Sequence, residues 1–215
     1  MPNIVELRKP NYMVDLWKHK NYNTDKWEHN YIHTYGELFS DLREKEITLL
    51  EIGVQFGGSL ELWRDYFVNG TIYGLDTDGS DFTCDSTDTE AVEEEFKFRG
   101  RVGMTFDIII DDGAHQVPKQ IETFKNFIPK LKPGGIYVVE DFRGNGDRAP
   151  NPEEGSANIN LFTTEIGQIP STEHSQKVPF EFQLIDCRKF DEKTKEIITD
   201  FTEKFNDSFL MVLGK

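Results

Sequence analysis

Short runs of apolar residues alternate with amphipathic stretches along the chain. Six runs are short and almost continuously apolar, as strands covered on both faces are, and they predict β-strands at residues 47–52, 71–76, 106–110, 135–141, 180–187 and 208–214. Helical spacing predicts helices at residues 59–67, 89–98, 117–131 and 192–205. Alternation of strand and helix from Ile47 to Asp141 is typical of a parallel, doubly wound sheet. We therefore predict an α/β, Rossmann-like fold with a mostly parallel, seven-stranded sheet and helices on both faces.

The length of 215 residues favours a single domain. We expect an aromatic-rich helical cap at residues 1–45, whose aromatic side chains we interpret as packing residues, and a core at residues 46–141. Residues 142–179 are rich in Gly, Pro, Asn and Ser and predict a lid or substrate loop with one short helix near residues 158–166, with plain disorder as the alternative. Residues 180–215 should supply the last strands and helix.

The chain is strongly acidic, with a formal net charge of -15. This charge argues against a nucleic-acid partner, because phosphate contacts need clustered Lys and Arg. No apolar stretch is long enough to suggest a membrane span or a secretion signal, so we expect a cytoplasmic protein. The two cysteines, Cys84 and Cys187, show neither a disulfide framework nor zinc spacing and are interpreted as reduced thiols.

A glycine-rich loop, within "LLEIGVQFGGSLELW", joins the first predicted strand to a helix that opens near Ser59. Gly53 permits a sharp turn and Gly57 lets the backbone approach a ligand. The dinucleotide pattern G-x-G-x-x-G is not met, because Gln55 stands two residues after Gly53. Asp76 ends the next strand, where a carboxylate can accept the ribose hydroxyls of an adenosine cofactor. A plain strand-to-helix turn with a solvated Asp76 is the alternative.

Acidic residues and a histidine follow two further predicted strands. Asp111, Asp112 and His115 leave the strand "FDIII", and Glu140 and Asp141 end the strand "GIYVVED". If the two strands are neighbours, these carboxylates converge, and their charge needs protons or a cation. An all-oxygen site suits a hard ion such as Mg²⁺, and the imidazole could act as a general base. The alternative is that these residues only form a turn and exposed strand ends, without a functional role.

These motifs resemble a known family. Together with "IYGLD", "CDSTD" and "LKPGG", they are similar to the class I S-adenosylmethionine (SAM)-dependent methyltransferases, and most closely to the metal-dependent sugar O-methyltransferases of macrolide biosynthesis, the mycinamicin and macrocin type. The segment "TDKWEHNYIHTYGELF" also resembles the stretch that precedes the glycine loop in those proteins.

The resemblance implies roles for individual residues. Glu51, Gly53 and Gly57 would line the SAM site, Asp76 would hold the ribose and Asp85 would contact the adenine. Asp112, Glu140 and Asp141 would match the Mg²⁺ ligands, and His115 the catalytic base. We also place Ser59 and Asp111 with the cofactor-binding residues.

The resemblance implies a SAM-dependent, Mg²⁺-assisted O-methyltransferase acting on a hydroxyl of a sugar or another small molecule. The sequence departs from the family at Cys84 and Thr87, which replace Gly and Gln of the adenine motif, in the short segment between Asp76 and Asp85, and in residues 142–179. A SAM-binding module without methyl transfer and a metal-dependent hydroxylase or hydrolase are the alternatives. The aromatic N-terminal segment is a candidate interface for a homo-oligomer.

Overall fold

A seven-stranded sheet forms the centre of the protein. The structure, a computed structural model, describes residues 11–142, 164–165, 181–187 and 209–214. Its strands are β1 (Thr48–Ile52), β2 (Thr71–Asp76), β3 (Phe82–Thr83), β4 (Phe106–Asp111), β5 (Leu131–Val139), β6 (Glu181–Asp186) and β7 (Phe209–Gly214). Its helices are α1 (Tyr12–His19), α2 (Tyr31–Leu38), α3 (Gly58–Tyr66), α4 (Thr89–Phe98) and α5 (Val117–Phe127).

The strands lie in the order β3-β2-β1-β4-β5-β7-β6. Pairs among β1 to β5 are parallel, whereas β7 runs antiparallel to both β5 and β6. The predicted Rossmann-like, mostly parallel sheet is thus confirmed. The predicted number of seven holds only when the two-residue β3 is included, because the other six strands have five to nine residues. The order reverses between β1 and β4, the place where parallel sheets bind ligands.

Helices cover both faces of the sheet. On one face, Ile109 of β4 packs with Phe96 of α4 and Phe124 of α5. On the other face, Ile108 and its neighbours pack with aromatic residues of α2 and α3, among them Trp63. Because successive side chains of a strand point to opposite faces, a strand buried between two helical layers must be apolar throughout. This double burial explains the continuously apolar runs of the sequence.

The largest differences from the predicted boundaries lie at the end of α5 and the start of β5. The helix predicted to reach residue 131 ends as α5 at Phe127 and continues as a 3-10 turn over Ile128–Lys130. The stretch "LKPGG" then lies inside β5, because Leu131 pairs with Phe106 before the register shifts. The helix predicted at residues 192–205 lies outside the described residues, as does all but residues 164–165 of the predicted loop beyond Phe142. Within the described part, no helix is long and apolar enough to cross a membrane.

Candidate active site

A cavity of about 540 Å³ opens at the carboxyl ends of β1, β2 and β4. Its wall includes the glycine loop, the end of β2, the segment after β3 and the acidic residues after β4 and β5. The N-terminal segment contributes a further part of the wall, with Asn23, Thr24, Asp25, His29 and Tyr31. The cavity therefore joins the predicted cofactor residues to the predicted metal residues.

The glycine loop is fixed by close contact with the end of β4. Gly53 has a φ of 84°, and a Cβ at this position would lie 2.1 Å from the carbonyl oxygen of Asp112. The carboxylate of Asp76 accepts hydrogen bonds from the amides of Val54 and Gln55 at 2.8 and 2.9 Å. Burial tends to raise the pKa of Asp76, but the amides of Gln55 and Val54 and of Thr77 outweigh it and lower the pKa. The ionised carboxylate of Asp76 thus holds the backbone of the glycine loop in place.

Four of the predicted cofactor-binding residues line the cavity and three do not. Gly53, Ser59, Asp76 and Asp85 belong to its wall. Glu51, Gly57 and Asp111 are not part of the wall. Glu51 is fully buried and accepts a hydrogen bond from Ser59 Oγ at 2.7 Å, so it could act on a bound molecule only through Ser59 or another neighbour.

Asp111 lies beneath the cavity. It is 1% exposed, and the Tyr137 hydroxyl donates to its Oδ2 at 3.4 Å. Burial raises the pKa of Asp111 to about 7. This placement gives Asp111 no direct contact with the cavity.

Asp85 is held at the wall by a local turn. The Thr87 amide and hydroxyl donate to Asp85 Oδ1 at 2.9 and 2.7 Å, and these bonds lower the pKa of Asp85. The residues of the sequence that depart from the family's adenine motif, Cys84 and Thr87, line the cavity beside it.

The ends of β4 and β5 bring the predicted catalytic residues together. The two strands pair in parallel, with Asp111 opposite Val139, so the residues that follow them converge. His115 Nε2 lies 3.4 Å from Asp112 Oδ1, and His115 Nδ1 lies 3.3 Å from Asp141 Oδ2. One ligating atom from each of Asp112, His115 and Asp141 lies within 4.8 Å of the other two. Carboxylate oxygens at this spacing suit a hard divalent cation.

Glu140 faces a different group, centred on a lysine. Lys26 is fully buried, and its Nζ donates to Asp112 Oδ2 at 2.7 Å and to both carboxylate oxygens of Glu140 at 2.8 Å. It also lies 3.2 Å from Glu51 Oε1. Burial alone would lower the pKa of Lys26, but the Asp112, Glu140 and Glu51 carboxylates raise it well above its usual value.

Two tyrosines and a histidine from the same N-terminal segment complete the polar network. The Tyr35 hydroxyl donates to Glu140 Oε1, and the Tyr31 hydroxyl donates to Asp141 Oδ1. His29 Nδ1 lies 3.5 Å from Asp141 Oδ1. The carboxylates after β5 are therefore contacted by residues that precede β1.

The aromatic residues Tyr31 and Tyr35, interpreted from the sequence as packing residues, do pack in the core, and they also donate hydrogen bonds to the acidic centre. Lys26, His29, Tyr31 and Tyr35 contact the acidic centre, although the neighbouring aromatic residues do pack in the core. The resemblance of "TDKWEHNYIHTYGELF" to the corresponding family segment was the signal that could have identified them. The aromatic composition of the segment favoured packing, and Lys26 was not singled out because buried lysines are rare.

Comparison with known proteins relates the chain to O-methyltransferases. No family model matches the chain. A tetracenomycin rhamnosyl 3'-O-methyltransferase of Streptomyces olivaceus is 30% identical over 166 residues, which are 67% of this chain and 42% of that protein. The mycinamicin VI 2''-O-methyltransferase of Micromonospora griseorubida is 31% identical over 156 residues, 65% of this chain and 39% of that protein.

Solved structures of MycE, a methyltransferase of mycinamycin biosynthesis, share the fold. The complex with Mg, SAH and mycinamycin VI has a TM-score of 0.57 and 29% identity, and the match covers 75% of this chain and 49% of that one. Another crystal form with Mg and SAH, at 24% identity, covers 97% of this chain and 54% of that one with a TM-score of 0.61.

The protein has the class I SAM methyltransferase fold. It is homologous to the macrolide-sugar O-methyltransferases, which confirms the resemblance of the sequence motifs. The chain spans about half the length, or less, of the relatives that it matches.

Proposed function

We propose that this protein is a SAM-dependent O-methyltransferase that transfers a methyl group to a hydroxyl of a sugar-bearing small molecule, assisted by Mg²⁺. The observation that carries the proposal is the shared cavity, which connects the glycine loop and Asp76 to Asp112, His115 and Asp141. Two relatives are named as O-methyltransferases of a rhamnosyl tetracenomycin and of mycinamicin VI, and MycE was solved with Mg and SAH.

The residues present fit a divalent cation. Asp112 and Asp141 offer carboxylate oxygens to the cavity, and Glu140 lies beside them with Lys26 and Tyr35 as its partners. We propose Asp112 and Asp141 as the principal ligands, with Glu140 completing the acidic set. A bound Mg²⁺ would supply Lewis-acid chemistry that orients the acceptor oxygen and lowers the pKa of its hydroxyl.

The chain's own residues would bind the cofactor, orient the acceptor and remove the proton from its hydroxyl. Gly53, Asp76 and Asp85 would hold the cofactor in the cavity that His115 also lines, and holding the two reactants together there would lower the barrier. Bound SAM would supply the methyl group: the acceptor oxygen would bond to the methyl carbon as the carbon–sulfur bond breaks, with S-adenosylhomocysteine (SAH) as the leaving group. His115, which is 41% exposed, would take the hydroxyl proton at a ring nitrogen as general base.

Two variants test the proposal by separating binding from turnover. Asp112→Asn should lose methyl transfer that depends on Mg²⁺ but keep SAH affinity, because Asp112 serves the metal. His115→Ala should lower turnover by roughly 10²–10⁴-fold, the usual contribution of a general base, with both SAH and Mg²⁺ still bound. The measurement is transfer of labelled methyl from SAM to deoxysugar glycosides, together with calorimetric titration of SAH. Full turnover in His115→Ala would remove the base assignment.

A further inference from the structure

Two groups of ligating atoms share the carboxylate of Asp112. In one group, Asp112 meets His115 and Asp141, and all three residues line the cavity. In the other, Asp112 meets Glu51 and Glu140, again with the three ligating atoms within 4.8 Å of one another. A carboxylate shared between two such groups is the arrangement by which two-metal sites bridge ions roughly 3.5–4 Å apart.

The ammonium of Lys26 lies within the second group. Its Nζ is 2.7 Å from Asp112, 2.8 Å from Glu140 and 3.2 Å from Glu51, so it contacts the same three carboxylates that a second ion would use. Glu51 Oε1 is buried without a hydrogen bond in the described part of the chain, and Lys26 supplies its nearest opposite charge. The side chain of Lys26 is fully buried, so these carboxylates compensate its charge in place of solvent.

The backbone around Lys26 is fixed against the glycine loop. A Cβ on Gly58 would lie 2.1 Å from the carbonyl oxygen of Asn23, which shows how closely the segment before Lys26 packs on the start of α3. The carbonyl oxygen of Lys26 also accepts a hydrogen bond from the amide of Tyr31, at the start of α2, at 2.9 Å. Lys26 is therefore anchored on both sides.

We propose that Lys26 is a positioning residue that takes the place of a second divalent ion and limits the acidic centre to the one metal of the proposed site, at Asp112 and Asp141. This inference rests on the metal site of the proposed function. Lys26 would also keep Asp112 Oδ2 engaged, which leaves Oδ1 directed toward His115.

Titration with Mn²⁺ tests the inference, with bound ions counted by electron paramagnetic resonance in the presence of SAH. The wild-type protein should bind one Mn²⁺. Lys26→Met should bind two, with an exchange-coupled signal from ions that share Asp112, and Mn²⁺ should raise its melting temperature more than that of the wild type. One Mn²⁺ in folded Lys26→Met, or none, would overturn the inference.

A matched control and a second variant keep the test decisive. Lys20→Met removes a lysine that contacts Glu61 and Asp65 at the surface and should leave the Mn²⁺ number at one. Lys26→Gln keeps a hydrogen-bond donor without the charge and should also bind two ions. Lys26→Gln serves as the test variant if Lys26→Met does not fold, and a second Mn²⁺ bound by the wild type at saturation would by itself overturn the inference.

The outcomes also separate this inference from the proposed function. One Mn²⁺ in both the wild type and Lys26→Met, with normal methyl transfer by the wild type, would overturn only the role of Lys26. A wild type that binds SAH but no Mn²⁺ would overturn both this role and the metal part of the proposed function.

Discussion

At the scale of residues, the acidic centre depends on a few buried hydrogen bonds. Glu140 is 1% exposed, and its partners are Lys26 and Tyr35. Removing one partner of a buried charge is costly, because the remaining charge is left without compensation. The side chains around Glu140 should therefore contribute strongly to stability as well as to the site.

Tyr35→Phe tests this contribution. The substitution removes the hydroxyl that donates to Glu140 but keeps the ring, which packs against Phe39 and Trp63. A hydrogen bond to a charged group contributes about 1.5–3 kcal/mol, so we expect the free energy of unfolding to fall by that amount.

Urea unfolding of Tyr35→Phe and a control measures the difference. Tyr12→Phe changes a tyrosine that is 49% exposed and should shift the free energy of unfolding by less than about 0.5 kcal/mol. Equal, small shifts in the two variants would show that the Tyr35 hydroxyl does not stabilise Glu140.

The same residues show what sequence can and cannot predict. Sequence could point to the acidic residues at the ends of β4 and β5, namely Asp112, Glu140 and Asp141. Each follows an apolar run, and the carboxyl ends of neighbouring parallel strands meet at one edge of the sheet. Lys26 contacts partners 86 and 114 positions away in the sequence, and no local pattern marks such a contact. The placement of Asp111 beneath the cavity could not be predicted either, because Asp111 and Asp112 follow the same apolar run in the sequence.

At the scale of elements, the glycine loop links the cofactor end of the cavity to the metal end. Gly53 sits where β1 ends, and the carbonyl oxygen of Asp112 occupies the space that a side chain would need. The amide of Asp112 donates to the carbonyl of Ile52 at 2.8 Å, so the two strand ends are joined by backbone contacts. Movement of the loop should therefore disturb both ends of the site.

Gly53→Ala tests this coupling. Both the positive φ and the overlap with the backbone of Asp112 oppose a Cβ, so we expect loss of stability and about a tenfold or greater loss of SAH affinity. Calorimetric titration of SAH and thermal unfolding measure the two effects.

Gly103→Ala is the matched control. Gly103 has a φ of 74° and no atom within 4 Å of an added Cβ, so this variant carries the conformational cost without the overlap. It should lose about 1–2 kcal/mol of stability and keep its SAH affinity. Equal effects of the two substitutions would indicate that the overlap with Asp112 is unimportant.

Element boundaries were predictable only to within a few residues. The pattern found α4 at its observed bounds, Thr89–Phe98, because the apolar positions repeat with helical spacing, and in the structure Asp88 caps its first turn. At "LKPGG" the Pro and Gly residues suggested a boundary, yet the backbone joins β5 there. Pairing with β4 decides that outcome, and it is a tertiary effect that local residues do not encode.

At the scale of the whole molecule, the strand order gathers the site from distant parts of the chain. The reversal between β1 and β4 opens the cavity, and the N-terminal segment covers it from one side with Lys26, His29 and Tyr31. The alternation of strands and helices predicted the central sheet, because each parallel crossover is a local unit. The position of the N-terminal segment could not be predicted in this way, since it depends on packing against completed strands.

The most direct test of the proposed function is calorimetric titration of the EDTA-treated protein with SAM, with and without added Mg²⁺. We predict saturable binding of SAM, and a separate saturable uptake of Mg²⁺ that Asp112→Asn abolishes while SAM still binds. Absence of SAM binding in both conditions would contradict the proposed function and reduce the glycine loop to a strand-to-helix turn.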